Sequence, residues 1–281
     1  MSVKKLCENV GISRQGFYKS IRARQHREFN EFRILETVMV ERLKHPKMGC
    51  RKLYSKLKSL WISEGIEIGR DRFFDLLGRH DLLIKRRRNY CKTTNSKHSF
   101  RVYKNLIKDK EVMRPHQIWV SDLTYIKTYE GFLYLSLITD AYSRKIVGYE
   151  INKTLEASGC ERALDMAIKQ LPSGERPIHH SDQGIQYCCK EYIKKLKRKN
   201  FLISMTEENH CYENSKAERV NGILKDEYYL GSKFINKTIA RAACKQAIYL
   251  YNTDRPHLSL HMRTPEMVHS NPTSTFPLEL N

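Results

Sequence analysis

The 281-residue sequence has no stretch approaching the ~20 consecutive apolar residues of a membrane-spanning helix, which argues against helical membrane spans. The lysines of the opening segment MSVKKLCENV are followed by no apolar run, so no secretory signal is expected there. The eight cysteines, at 7, 50, 91, 160, 188, 189, 211 and 244, form no Cys-x-x-Cys pair. They are also too thinly spread for a disulfide framework, and reduced thiols in a cytoplasmic protein are expected. Acidic residues are scarce, 31 Asp+Glu against 51 Lys+Arg, for a formal net charge of +20. With 40% hydrophobic and 29% charged residues the chain is globular in composition, and its length suits two domains with room for a small third unit.

The charge is unevenly placed. Residues 1–115 carry 29 Lys+Arg and 12 Asp+Glu, a net +17, whereas residues 116–281 carry 22 and 19, a net +3. Such asymmetry points to a polyanion held by the first part. Nucleic acid is the leading class, because phosphate neutralisation by Lys and Arg supplies most non-specific affinity. No basic helix with a broad apolar face flanked by Trp is evident, so a membrane-surface role is not expected.

In the basic part, Val3, Leu6 and Cys7 are spaced for one helix face, Gly11 breaks that helix, and Ser13 can cap a second helix carrying Phe17 and Tyr18. Helix, glycine turn and Ser-capped helix make a helix-turn-helix pattern, with Arg14, Gln15 and Lys19 placed to reach a DNA groove. A second such unit is expected from a helix over 29–43 with Phe32, Leu35, Val38 and Leu43 inward. Pro46–Gly49 interrupts it, a helix over 50–61 follows, Gly65 and Gly69 mark a turn, and a helix spans 70–79 with Arg70 and Arg72 near its start. The run Lys85-Arg86-Arg87-Arg88 is expected to contact phosphate. These readings divide the chain into a first helix-turn-helix (1–27), a second helix-turn-helix-like domain (28–90), a basic linker (91–115), an α/β core (116–270) and a tail (271–281).

The core reads as strands over 117–127, 132–141, 144–151, 177–182 and 201–205, with helices over 156–170, 189–200 and 215–230. Two short links make the first three strands antiparallel neighbours, and the alternation that follows fits one mixed five-stranded sheet with helices on both faces. Asp122 stands in an apolar strand, where a lone carboxylate is costly without a partner such as a divalent cation. Asp182 follows the fourth strand, and Glu218 lies in the first turn of the last helix, with 35 residues between them. Three carboxylates converging from two strands and a helix can hold two Mg²⁺ ions, the arrangement that activates an attacking oxygen and steadies a leaving one at a phosphodiester. Each acid also has a plainer reading: Asp182 as a turn residue, and Glu218 as the far end of the capping box Ser215-Lys216-Ala217-Glu218. Asp140 precedes a tight turn and reads as structural. Glu227 is half a turn off the Glu218 face, which Asn214, Asn221 and Lys225 share as candidate DNA contacts. His179 and His180 are candidates for nearby support.

In this order, WVSDLTYI, FLYLSLITDAYSRKIVGYEI, IHHSDQGIQY, CYENSKAERVNGILKDE and YNTDRPHLSLHMRTPEMV resemble the integrase-type transposases of the IS-three family of bacterial insertion sequences. GCRKLYSKLK and GRDRFFDLLGRHDL extend the resemblance upstream, to the family's second helix-turn-helix. The resemblance implies a ribonuclease-H-like core whose two aspartates and glutamate, with 35 residues between the second aspartate and the glutamate, are Asp122, Asp182 and Glu218, both as metal ligands and as catalytic groups. It implies two Mg²⁺ ions, with Mn²⁺ as a substitute, acting on double-stranded DNA: the terminal inverted repeats and a target. It implies a homo-oligomer in a synaptic complex, a circular intermediate, a bacterial cytoplasm with the nucleoid as the setting, and a partner protein or fused segment from an upstream reading frame. Glu213-Asn214-Ser215 stands where the family usually has Asp-Asn-Ala. No zinc site is expected, since His257 and His261 have no cysteine partners nearby. Two rival readings remain at this point: a helix-turn-helix regulator without catalysis, and a ribonuclease-H-like nuclease without strand transfer.

Overall fold

The computed structural model describes residues 2–84, 100–108, 110–207 and 215–272. Lys85, Arg86, Arg87, Arg88 and Asn214, all expected at DNA, lie outside them, as do much of the 91–115 linker and residues 273–281 of the tail. The chain forms two compact units, Met1–Arg86 and Arg87–Asn281.

In the first unit, helix α1 (Val3–Val10) ends at Gly11, whose φ of 72° suits the residue without a Cβ. Ser13 then caps α2 (Arg14–Lys44), its Oγ accepting from the Gly16 N–H at 3.0 Å. The two helices expected on either side of residue 27 are one, and α2 runs unbroken for 31 residues. The reason is local: residues 20–31 contain neither Pro nor Gly and are rich in Arg, Gln and Glu, so nothing stops the helix. A single helix has one buried stripe against this unit's core, and here it is Ile34, Val38 and Glu41. Phe32 and Leu43, expected inward, fall on the opposite side and are 63% and 83% exposed. Helices α3 (Cys50–Ser63) and α4 (Arg70–Arg79) close the unit. Trp61 and Phe73 meet in its centre with ring centroids 5.1 Å apart, and the Trp61 indole N–H donates to Thr37 Oγ1 at 2.8 Å, which satisfies its polar atom.

The second unit is the mixed sheet anticipated from the sequence. Strands β1 (Ile118–Thr128), β2 (Gly131–Asp140) and β3 (Ile146–Asn152) form an antiparallel meander, and β4 (Ile178–Ser181) and β5 (Leu202–Met205) add in parallel on the other side of β1. The order across the sheet is β3-β2-β1-β4-β5. Helices α5 (Ala157–Lys169), the short α6 (Ile185–Cys188) and α7 (Lys190–Arg198) bury Cys160, Ala163, Leu164, Tyr192 and Leu196 against Trp119, Ile138 and Val147. On the opposite side, α8 (Ser215–Glu227) and α9 (Lys237–Thr253) bury Val220, Leu224, Cys244 and Tyr251 against Ile126, Leu133, Leu135 and Ile151. The sequence reading assigned nothing to α9 or to the closing α10 (Pro265–Ser270). Asn252 of α9 stitches the edge of the sheet, accepting from the Ile146 N–H and donating to its carbonyl, each at 2.9 Å.

One close approach sets the packing of β3 on α5. A Cβ on Gly148 would collide with the Ala163 carbonyl and lie 2.9 Å from Ala167 Cβ. Gly148→Ala therefore has to push strand and helix apart, and overpacking of this kind costs about 2–3 kcal/mol. Urea unfolding of the two proteins checks it: the midpoint should fall, and an unchanged midpoint would show that α5 yields freely.

Candidate active site

Alternation along β1 sends Ile118, Val120 and Ile126 to the face covered by α8 and α9, and Asp122 shares their parity. The parallel pairing of β1 with β4 runs Ile118–Ile178, Trp119–His179 and Val120–His180, so Asp122 and Asp182 each lie two residues past the last pair. Strand register thus brings together residues 60 apart in the chain. Asp182 Oδ1 accepts from the Gly184 N–H at 3.0 Å, so the residue makes the turn expected of it while also facing Asp122 electrostatically.

The third acid is placed by packing. Ala217 is buried among Ile118, Val120, Ala141 and Ile178, which docks the first turn of α8 on the start of β1. One helical turn on, Asn221 Nδ2 donates to Asp122 Oδ2 at 2.7 Å. Glu218 lies between these two anchors, exposed at the edge of the cleft.

The electrostatics are those of crowded carboxylates. Burial, then the neighbouring charge of Asp182, raises the Asp122 carboxyl from 3.8 to about 7; the Asn221 and Leu123 hydrogen bonds oppose this, and Glu218 adds a smaller push upward. Burial and Asp182 also raise Glu218. Such a cluster is unstable as three anions unless a cation joins it, and its all-oxygen donors suit a hard divalent ion. The buried Asn221 Oδ1 has no hydrogen-bond partner, leaving one more oxygen in the same place unsatisfied.

Behind the acids lies a buried polar network. Ser121 Oγ and Tyr192 OH both meet His179 Nε2, at 2.7 and 2.8 Å, tying β1, β4 and α7 together. Burial, with His180 nearby, lowers His179 to about 3, so it is a neutral strut. His180 Nδ1 pairs with Ser204 Oγ at 2.9 Å. Asp140 is fully buried and accepts from the backbone N–H groups of His116, Tyr142 and Ser143 and from the Ser143 hydroxyl. Glu227 holds Arg255 through two hydrogen bonds of 2.7 and 2.8 Å.

The integrase core domain matches residues 113–211, and a second integrase core domain description matches residues 200–265. The first span contains Asp122 and Asp182, and the second Glu218. An insertion element IS600 uncharacterized 31 kDa protein of Shigella sonnei is 33% identical over 264 residues, 92% of this chain and 96% of that one. The chain belongs to the IS-three family of insertion-sequence transposases. The transposase InsF for insertion sequence IS3A of Escherichia coli (strain K12) is 29% identical over 91% of this chain and 90% of its own. Among solved structures, a simian T-cell lymphotropic virus intasome in complex with a PP2A regulatory subunit aligns with a TM-score of 0.50 at 18% identity. It covers 83% of this chain and 78% of that one, and it confirms the retroviral-integrase, ribonuclease-H-like fold. The protein thus functions in DNA transposition.

The remaining expected site residues of the transposase fall in three groups. Arg14, Gln15 and Lys19 are exposed on the first turns of α2, and Arg70 and Arg72 are exposed at the start of α4, Arg70 bonded to Asp71 at 2.9 Å. Lys225 lies on the Glu218 face of α8, its Nζ 4.8 Å from the Tyr125 ring centroid. Asn221, expected as a DNA contact on the polar inner face of α8 near the metal site, is only 6% exposed and bound to Asp122. The face is polar because it packs on the acid cluster. Its i+3 spacing from Glu218 was the one available signal, and spacing alone does not say which polar partner a side chain meets.

Proposed function

We propose that this transposase cuts and joins the ends of its insertion sequence at the site formed by Asp122, Asp182 and Glu218. The observation that carries the reading is the placement of Asp122 beside Asp182 past the β1–β4 pairing, with Glu218 held over them by the Asn221 bond. The three carboxylates are the ligands of two divalent cations of the Mg²⁺ class, for which Mn²⁺ can substitute. Bound there, the ions supply the Lewis-acid charge that activates an attacking oxygen and stabilises a leaving oxygen at a phosphodiester.

Asp122 and Asp182 are set by strand register and need no large rearrangement. Asn221 orients the Asp122 carboxylate, leaving its other edge toward the cluster. The neutral His179 network fixes the spacing of β1 and β4 without adding charge. No side-chain nucleophile is required: a water frees a 3′-OH at the element's end, and that 3′-OH is the nucleophile of the joining step. The first unit holds DNA through its excess of Lys and Arg, with Arg14, Gln15 and Lys19 on α2 and Arg70 and Arg72 on α4 as contacts. A homo-oligomer brings the two ends together, in the cytoplasm where the DNA is.

Incubating the protein with labelled terminal-repeat DNA and Mg²⁺ tests the reading. Cutting followed by joined products is expected. Cutting alone would make the protein a nuclease without strand transfer, and tight binding with no metal-dependent reaction would make it a regulator.

A further inference from the structure

At the far end of β1 from the acids, lysines are set over aromatic rings. Lys225 Nζ is 4.8 Å and Lys127 Nζ 5.9 Å from the Tyr125 centroid. The Lys233 Nζ lies 3.9 Å from that of Tyr129. The Phe132 ring stands edge-on to Tyr125 at 5.6 Å. Backbone pairing builds the corner: the Phe234 N–H donates to the Lys127 carbonyl and the Tyr129 N–H to the Phe234 carbonyl, clamping the segment after α8 alongside β1. The Lys237 N–H donates to Glu130 at the hairpin turn.

Two features combine at this corner. Several cations of the second unit sit on carboxylates, as in Arg114–Glu175, Lys145–Glu266, Lys195–Asp165 and Arg255–Glu227. Here Lys127, Lys233 and Lys237 have no ion-pair partner among the described residues, and a ring beneath a lysine does not cancel its charge. The rings are also open: Tyr129 is 72% and Phe132 48% exposed, although large apolar surface usually turns inward.

Helix α8 links this corner to the acid site. Lys225 follows Glu218 by two helical turns on the same face of α8. Lys127 lies about 17 Å beyond Asp122 along β1.

We propose that this corner is a binding site for an unpaired stretch of DNA strand, its phosphates on Lys127, Lys225, Lys233 and Lys237 and a base stacked on Tyr129 or Phe132. Open aromatic faces interleaved with cations are the means by which proteins hold single strands without reading sequence. An acidic protein segment would use the lysines and leave the rings without a role. The inference rests on the transposase reading: a strand crossing the acids would leave them along β1 toward this corner.

The test is the affinity of the full chain, without divalent metal, for two labelled probes: a blunt terminal-repeat duplex and the same duplex with a short unpaired flank. Wild type should prefer the flanked probe. Tyr129→Ala should lose about tenfold on that probe and less than twofold on the blunt one, while Tyr129→Trp keeps the affinity. Replacing Lys127, Lys233 and Lys237 together by Ala should make the salt dependence on the flanked probe shallower by about 2 in log–log slope. Tyr129 is on an exposed turn, and matching melting temperatures establish that its variants are folded. If wild type binds both probes and Tyr129→Ala binds them equally well, the inference is overturned and the transposase reading stands. If wild type binds neither probe, both fail. Competition by an acidic peptide as strong as by oligonucleotide, and unaffected by Tyr129→Ala, would assign the corner to a protein partner and overturn the inference.

Discussion

Asp122→Asn should abolish cutting and joining while leaving DNA affinity within about twofold. The change keeps the shape of the side chain, removes its charge and replaces one of its two accepting oxygens with a donating NH2. Loss of a charge that holds divalent metal is worth several kcal/mol at the transition state, so a drop of at least about 10³-fold is anticipated. Cleavage at near wild-type rate would sink the assignment of the site.

The same variant should be the more stable protein when metal is absent. In the fold, the Asp122 carboxyl binds its proton up to about pH 7, against an ordinary 3.8. Between those values the native state holds more protons than the unfolded chain, so stability falls as pH rises through this window and is lowest above it. The penalty is at most about 4 kcal/mol, and on the order of 2 kcal/mol for a side chain partly open to water. Metal-free Asp122→Asn should therefore melt several degrees above wild type at pH 8, with the difference closing toward pH 4. Added Mg²⁺ should raise the melting temperature of wild type and leave the variant unmoved. Protons compete for the same carboxylate, so metal affinity should weaken as pH falls below about 7. Equal melting temperatures at pH 8 would show that Asp122 is not confined as its surroundings indicate.

Asn221→Ala is the second large effect. Asn221 donates to Asp122 Oδ2 at 2.7 Å from a position 6% exposed, and so fixes which edge of the carboxylate faces the cluster. Losing a partner that orients a metal ligand typically costs 10–100-fold in metal affinity or activity, and about that loss is expected. A role confined to packing would lower stability and leave the pH profile in place. An orienting role has a further signature: this bond is among the forces holding the Asp122 pKa down, so its removal moves the acid limb of the activity profile to higher pH. An unshifted limb at reduced activity would assign Asn221 to packing alone.

Much of this protein was legible from its residues. The five strands and the helices between them follow from apolar periodicity and turn residues, and the antiparallel neighbours follow from link lengths. Asp122 stood out as a carboxylate in an apolar strand, and Glu218 by its distance from Asp182 within a recognisable family pattern. The continuous α2 was misjudged because two apolar patterns on one helix look like two helices when nothing marks a break. Residues 237–253 pack on one face of the sheet with a weak sequence signal, because three of their five buried side chains, Ala240, Cys244 and Ala247, are small and carry little apolar contrast.

What the sequence determined by itself is local or additive: the strands and most helices, the caps at Ser13 and Gly11, and the net +17 of the first 115 residues. These depend on neighbours within a turn or on sums along the chain. Tertiary structure alone decided which groups act on one another. Register set Asp122 beside Asp182, the docking of Ala217 turned α8 so that Asn221 reached Asp122 rather than solvent, and the clamp of Phe234 along β1 gathered lysines and rings from distant segments. The physical reason is that a charge's energy depends on distance and burial, and both are properties of the folded chain rather than of any segment of it.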